Sequence, residues 1–74
     1  MTETTTATIW VRVNGEEHEL RAGVTVAQLL EALSIPPSGT AVELAGGIVP
    51  HSSYGETRLV DGQALEIVRF VGGG

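Results

Sequence analysis

Between Thr8 and Val13 the chain alternates, with Ile9, Val11 and Val13 on one parity and Trp10 and Arg12 on the other. A period of two marks a strand with one buried face. Asn14-Gly15 follows at once, a dipeptide suited to a type I′ turn, so residues 17–20 are predicted to return as the second strand of a hairpin. Arg21-Ala22-Gly23 ends that pattern. From Thr25 the period changes: Val26, Leu29, Leu30 and Leu33 recur at helical spacing, and Thr25 with Gln28 reads as a capping box. The prediction is one amphipathic helix of about two to three turns. Pro36-Pro37 cannot continue it and is expected to stop it.

Beyond the prolines, residues 41–44 form a short predicted strand with Val42 and Leu44 on one face, closed by a tight turn at Gly46-Gly47. Ile48-Val49 is a second short strand, ended by Pro50. Residues 51–57 are polar and irregular, and Asp61-Gly62 marks a turn before a last strand over residues 64–71. In that strand Leu65 and Ile67 should face the core, while Glu66, Val68 and Phe70 share the opposite face. A hairpin, a helix and then further strands define a two-layer α+β domain, a mixed sheet of four to five strands with one main helix on one face. If the last strand lies beside and parallel to the first, both are central. The expected organisation is a flexible Thr-rich tail over residues 1–7, one domain over 8–71 and a flexible glycine tail over 72–74.

Composition narrows the function. A chain of 74 residues is one small domain, and 42% hydrophobic residues with a single Trp, Tyr and Phe give it an aliphatic core. The absence of cysteine excludes disulfides, thiolate metal sites and a thiol nucleophile, and fits a reducing compartment. A net charge of −5, from nine acidic residues against four arginines and no lysine, disfavours a nucleic-acid partner. The absence of lysine has two readings: a carrier with an activated carboxyl is safer without side-chain amines, or the source prefers arginine. Neither a secretion signal nor a transmembrane stretch is recognisable, so a cytoplasmic protein with no membrane partner is expected.

The candidate chemistry lies at the C-terminus. His18 and His51 are far apart and lack acidic neighbours at metal-ligand spacing, so no metal site is expected. Ser52 and Ser53 beside His51 lack a nucleophile elbow, and no helix follows Gly46-Gly47 to hold a phosphate. The sequence closes on Val71-Gly72-Gly73-Gly74. Glycine has no Cβ, so such a tail can thread a narrow channel, with the Gly74 carboxylate ionised at neutral pH and able to attack the α-phosphate of ATP in a partner's site. A frayed end without function is the alternative reading. Alternation also places Trp10, Val68 and Phe70 on the sheet face away from the helix. There they are expected to form an apolar partner-binding patch ending near the tail, unless the short strands or the Tyr54 loop cover it.

Val13-Asn14-Gly15, the Thr25-Val26-x-x-Leu29-Leu30-x-x-Leu33 helix, Ile48-Val49-Pro50, Asp61-Gly62 and Val71-Gly72-Gly73-Gly74, in this order, resemble the ThiS family of bacterial sulfur carriers over residues 8–74. The resemblance implies a ubiquitin-like β-grasp fold. It further implies that Gly74 is adenylated by an E1-like (ThiF-like) enzyme and converted to a thiocarboxylate with sulfur from a persulfide donor. The sulfur then passes to the ThiG-like thiazole synthase of thiamine biosynthesis. On this reading the chain is a recycled cosubstrate rather than an enzyme. It binds no cofactor stably, and ATP and Mg²⁺ belong to the adenylating partner. Trp10, Val68, Phe70, Val71, Gly72 and Gly73 would contact partners. His51 stands where the family often carries Arg, and the Thr-rich leader is longer than usual. The alternatives are the small subunit of molybdopterin synthase, which also forms a thiocarboxylate, a ubiquitin-like protein modifier, and a passive binding module.

Overall fold

The computed structural model describes residues 7–70. The elements run β1 (Thr8–Val13), β2 (Glu16–Arg21), α1 (Val26–Ala32), β3 (Thr40–Leu44), β4 (Gly47–Val49), a single 3₁₀ turn (His51–Ser53) and β5 (Ala64–Arg69). The five strands form one mixed sheet in the order β2-β1-β5-β3-β4. β1 and β5 are central and parallel, and the other pairings are antiparallel.

Alternation along the strands decides which face is buried. Ile9, Val11, Val13, Val42, Val49, Leu65 and Ile67 all point to the side covered by α1, which contributes Val26, Leu29 and Leu30, each fully buried. Burying one such side chain is worth about 1.5–3 kcal/mol, so this layer supplies most of the stability of a domain this small. The loop after the 3₁₀ turn adds Tyr54 and Leu59 to the same core. Tyr54 therefore lies beneath the sheet and does not cover the outer face.

The first turn is as expected: Asn14 and Gly15 both take positive φ, at 50° and 87°. The capping box is complete, with Thr25 Oγ1 accepting from the Gln28 N–H and Gln28 Oε1 accepting from the Thr25 N–H. Two local expectations are corrected. The β3–β4 turn is Ala45-Gly46, at φ 54° and 83°, and Gly47 already belongs to β4 opposite Leu44. A two-residue loop fits the twist of the hairpin, and Ala45 is held in the left-handed region to supply it.

The helix also ends before the prolines act. Ser34 adopts φ 59°, its N–H donates to the Glu31 carbonyl, and the Ile35 N–H donates to the Leu30 carbonyl at 2.8 Å. This is a Schellman motif with serine in the position glycine usually fills, and Ile35 packs against the core as its apolar partner. Pro36 and Pro37 follow, and from Pro37 the chain turns into β3, the Thr40 N–H donating to the Pro37 carbonyl at 3.2 Å.

Candidate functional site

β5 leads towards the glycine tail, so its two edges determine what surrounds the site. On one edge β3 pairs with it along its whole length, from Leu44 opposite Leu65 to Thr40 opposite Arg69, and the Phe70 N–H donates to the Gly39 carbonyl at 2.8 Å. On the other edge β1 pairs with only the beginning, Arg12 opposite Ala64 and Val13 opposite Leu65. Two side chains complete that short parallel ladder. At its start Asp61 Oδ1 accepts from the Trp10 N–H at 2.8 Å, and at its end the Asn14 amide exchanges two hydrogen bonds with the Ile67 backbone.

This register divides the expected patch. Trp10, Val68 and Phe70 share the outer face and are exposed at 49%, 51% and 63%. Trp10, however, sits beside Gly62, whose N–H donates to its carbonyl. Val68 is six residues further along β5, about 20 Å at the usual strand rise, and Phe70 is further still. Trp10 instead borders a separate cleft of about 280 Å³ shared with Arg12, Glu17, Asp61 and Gln63. Alternation assigns a residue to a face but carries no information on how far one strand is staggered against the next.

The apolar neighbours of Val68 and Phe70 come from the other side of the sheet. Val68 lies opposite Ala41, and Ile48, 67% exposed, lies opposite Glu43 on the same outer face. Sequence inspection missed Ile48 as a surface residue, although its alternation with Val49 carried the signal.

Beneath this face a latch fixes the segment that pairs with the end of β5. Thr40 is fully buried, and its hydroxyl donates to the Pro36 carbonyl at 2.7 Å. The Thr40 carbonyl lies 2.7 Å from His51 Nε2 and accepts from the Tyr54 hydroxyl at 3.3 Å. A carbonyl can only accept, so His51 Nε2 carries a proton here. Where a guanidinium was the family expectation, His51 binds backbone and stacks obliquely on Tyr54, centroids 4.9 Å apart. Ser52 and Ser53 form the 3₁₀ turn and make no nucleophilic arrangement with it.

Val71, Gly72, Gly73 and Gly74 lie outside the described residues, as do residues 1–6. At the other end the Ala7 carbonyl accepts from the Ala22 N–H, so the sheet's bonding begins one residue inside the expected tail. Among the described residues no group of three or more His, Cys, Asp or Glu could hold a metal ion. No helix among them is long and apolar enough to cross a membrane.

A mixed sheet with parallel central strands, a hairpin on one side and one helix across a single face is the ubiquitin-like β-grasp architecture. The chain belongs to the ThiS family, whose model matches residues 11–74. The crystal structure of the thiamine biosynthesis protein (ThiS) from Geobacter metallireducens is 30% identical. It superimposes with a TM-score of 0.76, covering 89% of this chain and all of that one. The solution structure of a thiamine biosynthesis protein from the same organism gives a TM-score of 0.71 at the same identity, covering 89% of this chain and 88% of that one. A thiazole synthase of Paramagnetospirillum magneticum is 47% identical over 62 residues, and one of Magnetococcus marinus is 38% identical over 64. These matches cover 84% and 86% of this chain but only 19% and 20% of those relatives, about a fifth of their length.

Proposed function

We propose that this protein is a sulfur carrier of thiamine biosynthesis, a cosubstrate that presents its C-terminal carboxylate to partner enzymes. The observation that carries the reading is the family match, which runs through residue 74 and so includes the terminal glycines. The thiamine proteins of the same fold and the two thiazole synthases support the pathway over the pterin alternative.

In the proposed reaction a Gly74 carboxylate oxygen bonds to the α-phosphorus of ATP and pyrophosphate leaves. The terminal sulfur of a partner's persulfide then bonds to the carbonyl carbon and displaces AMP, giving an acyl disulfide. A thiol of the partner attacks the donor-side sulfur of that S–S bond, forming a disulfide with the donor and releasing the thiocarboxylate for the thiazole synthase. With no cysteine of its own, the chain must take this sulfur from outside. ATP, Mg²⁺, the persulfide and the stabilisation of developing charge are the partners' contribution. Gly72 and Gly73 give the carboxylate reach. Fixing each of them costs about 1–2 kcal/mol of backbone entropy, which docking of the folded domain must offset.

Intact-mass measurement after incubation with ATP, a cognate adenylating enzyme and a sulfur source tests this. Replacement of one carboxylate oxygen by sulfur is the expected product, and Gly74→Ala should slow its formation while folding normally. An unmodified mass under conditions that load a known carrier would refute the proposal.

A further inference from the structure

On the outer face, β3 and β5 set Glu43 and Glu66 directly opposite one another, both exposed. Like charges at opposed cross-strand positions repel, and among the described residues none of the four arginines forms an ion pair with either carboxylate. Arg12 is bonded to Glu17 at 3.1 Å, and Arg58 donates to the Gly23 carbonyl at 3.0 Å. Arg21 lies on the edge strand β2 opposite Thr8, and Arg69 alternates away from Glu66 along β5. Among the described residues the ion pairs are Arg12–Glu17 and His18–Glu16, neither of which involves Glu43 or Glu66.

Apolar side chains border the two carboxylates. Ile48 stands opposite Glu43 on β4, and Val68 follows Glu66 on the same face of β5, opposite Ala41. An isolated domain gains nothing from exposing Ile48 and Val68 around an unrelieved pair of charges. A partner with one cation and an apolar rim would satisfy both features at once.

We propose that the Ile48, Glu43, Glu66 and Val68 surface docks the adenylating enzyme through an arginine or lysine of that enzyme, its cation set between the two carboxylates and apolar side chains beside it covering Ile48 and Val68. The proposal rests on the carrier reading above and gives its docking face a chemistry. Charge complementarity selects the occupant: an anionic membrane or a nucleic acid would bring phosphates against two carboxylates on a chain of net charge −5. Position supports it too, since this surface lies on the strand that leads to Phe70, whereas the Trp10 cleft lies behind it.

The consequence is a pair of effects with opposite sign. Neutralising either carboxylate relieves repulsion in the free protein and removes half of the recognition site. The test uses the full chain with Glu43→Gln, Glu66→Gln and the double substitution, and Glu19→Gln on β2 as control. Thermal unfolding is followed without partner, and affinity for the adenylating enzyme by calorimetry at low and physiological salt. Each single variant should melt higher, by roughly 1–4 °C. Each should also bind at least about fivefold more weakly, with the difference shrinking as salt screens the contact. The double variant should lose less than the product of the single losses, because both carboxylates serve one cation. Glu19→Gln should bind as wild type. Unchanged affinity in both single variants overturns the proposal, as does a loss that is insensitive to salt or accompanied by a lower melting temperature. Adenylation of the wild-type chain, followed by pyrophosphate release in parallel, separates the two readings. Normal adenylation with indifferent variants removes this surface alone, whereas no adenylation of wild type removes the carrier function.

Discussion

The side chain of Asn14 continues the parallel ladder onto Ile67 after the backbone of β1 has turned away. Its Oδ1 accepts from the Ile67 N–H at 2.7 Å and its Nδ2 donates to the Ile67 carbonyl at 3.1 Å, while its own N–H donates to the Leu65 carbonyl. In an unbroken strand, backbone groups of β1 would make those bonds. The chain reverses here, at φ 50°, and the amide replaces them. One residue thus supplies the left-handed conformation of the hairpin and ties that hairpin to the strand leading to the tail.

Asn14→Gly separates the two roles, because glycine keeps the turn and removes the amide. The partly buried Ile67 groups then lose their partners, at an expected cost of about 1–3 kcal/mol. Urea unfolding should show a lower midpoint, and hydrogen exchange should accelerate more at Ile67 than at Leu29. An unchanged midpoint would show that water replaces the amide without loss.

Ser34 and Ala45 hold positive φ without being glycine, at 59° and 54°. The left-handed region costs a residue with a Cβ about 1–2 kcal/mol, and glycine's extra freedom in the unfolded chain returns part of that. Ser34→Gly and Ala45→Gly should therefore each stabilise by about 0.5–1 kcal/mol. Sitting in separate turns, they should add in the double variant. Denaturant midpoints should rise with unchanged slope, and a fall in either would mean that the native side chain makes a compensating bond.

The Thr40 carbonyl receives both His51 Nε2 and the Tyr54 hydroxyl. With one donor left it remains satisfied, so Tyr54→Phe should cost only about 0.5–1.5 kcal/mol. Removing His51 as well leaves a buried acceptor bare. A double-mutant cycle of Tyr54→Phe with His51→Ala should return a destabilising coupling of about 0.5–3 kcal/mol. Strict additivity would show that the two bonds act independently.

What the sequence made legible follows from how far each signal reaches. Periodicity identified β1, β5, α1 and their buried faces, because alternation and helical spacing are properties of neighbouring residues. Thr25 with Gln28 and Asn14-Gly15 marked their cap and turn for the same reason. The β3–β4 turn lies one residue earlier than the glycine pair suggests, because three consecutive positions, Ala45 to Gly47, can all form it and only the pairing of Leu44 with Gly47 decides. Pro36-Pro37 is the conspicuous helix stop in the sequence, whereas the helix ends at Ser34 through backbone bonds that serine does not advertise. Neither the Thr40 latch nor the opposed Glu43 and Glu66 has a local signature. The division of Trp10 from Phe70 depends on the register between two strands some fifty residues apart in sequence.

That division yields a direct functional prediction, because Trp10 is the only tryptophan. Docking of the adenylating enzyme at the tail end of the sheet would bury Val68 and Phe70 but leave Trp10, about 20 Å back along β5, in water. Phe70→Glu should thus weaken binding at least about tenfold, as loss of a central aromatic contact does, with little effect on melting because the side chain is exposed. Selectively excited emission from Trp10, measured with an adenylating enzyme whose own tryptophans have been replaced, should shift little on saturation, and Trp10→Ala should be adenylated with near wild-type kcat/KM. A strong blue shift, or loss of kcat/KM in Trp10→Ala without loss of fold, would place the Trp10 cleft inside the interface. The partner would then have to span the whole outer face of the sheet.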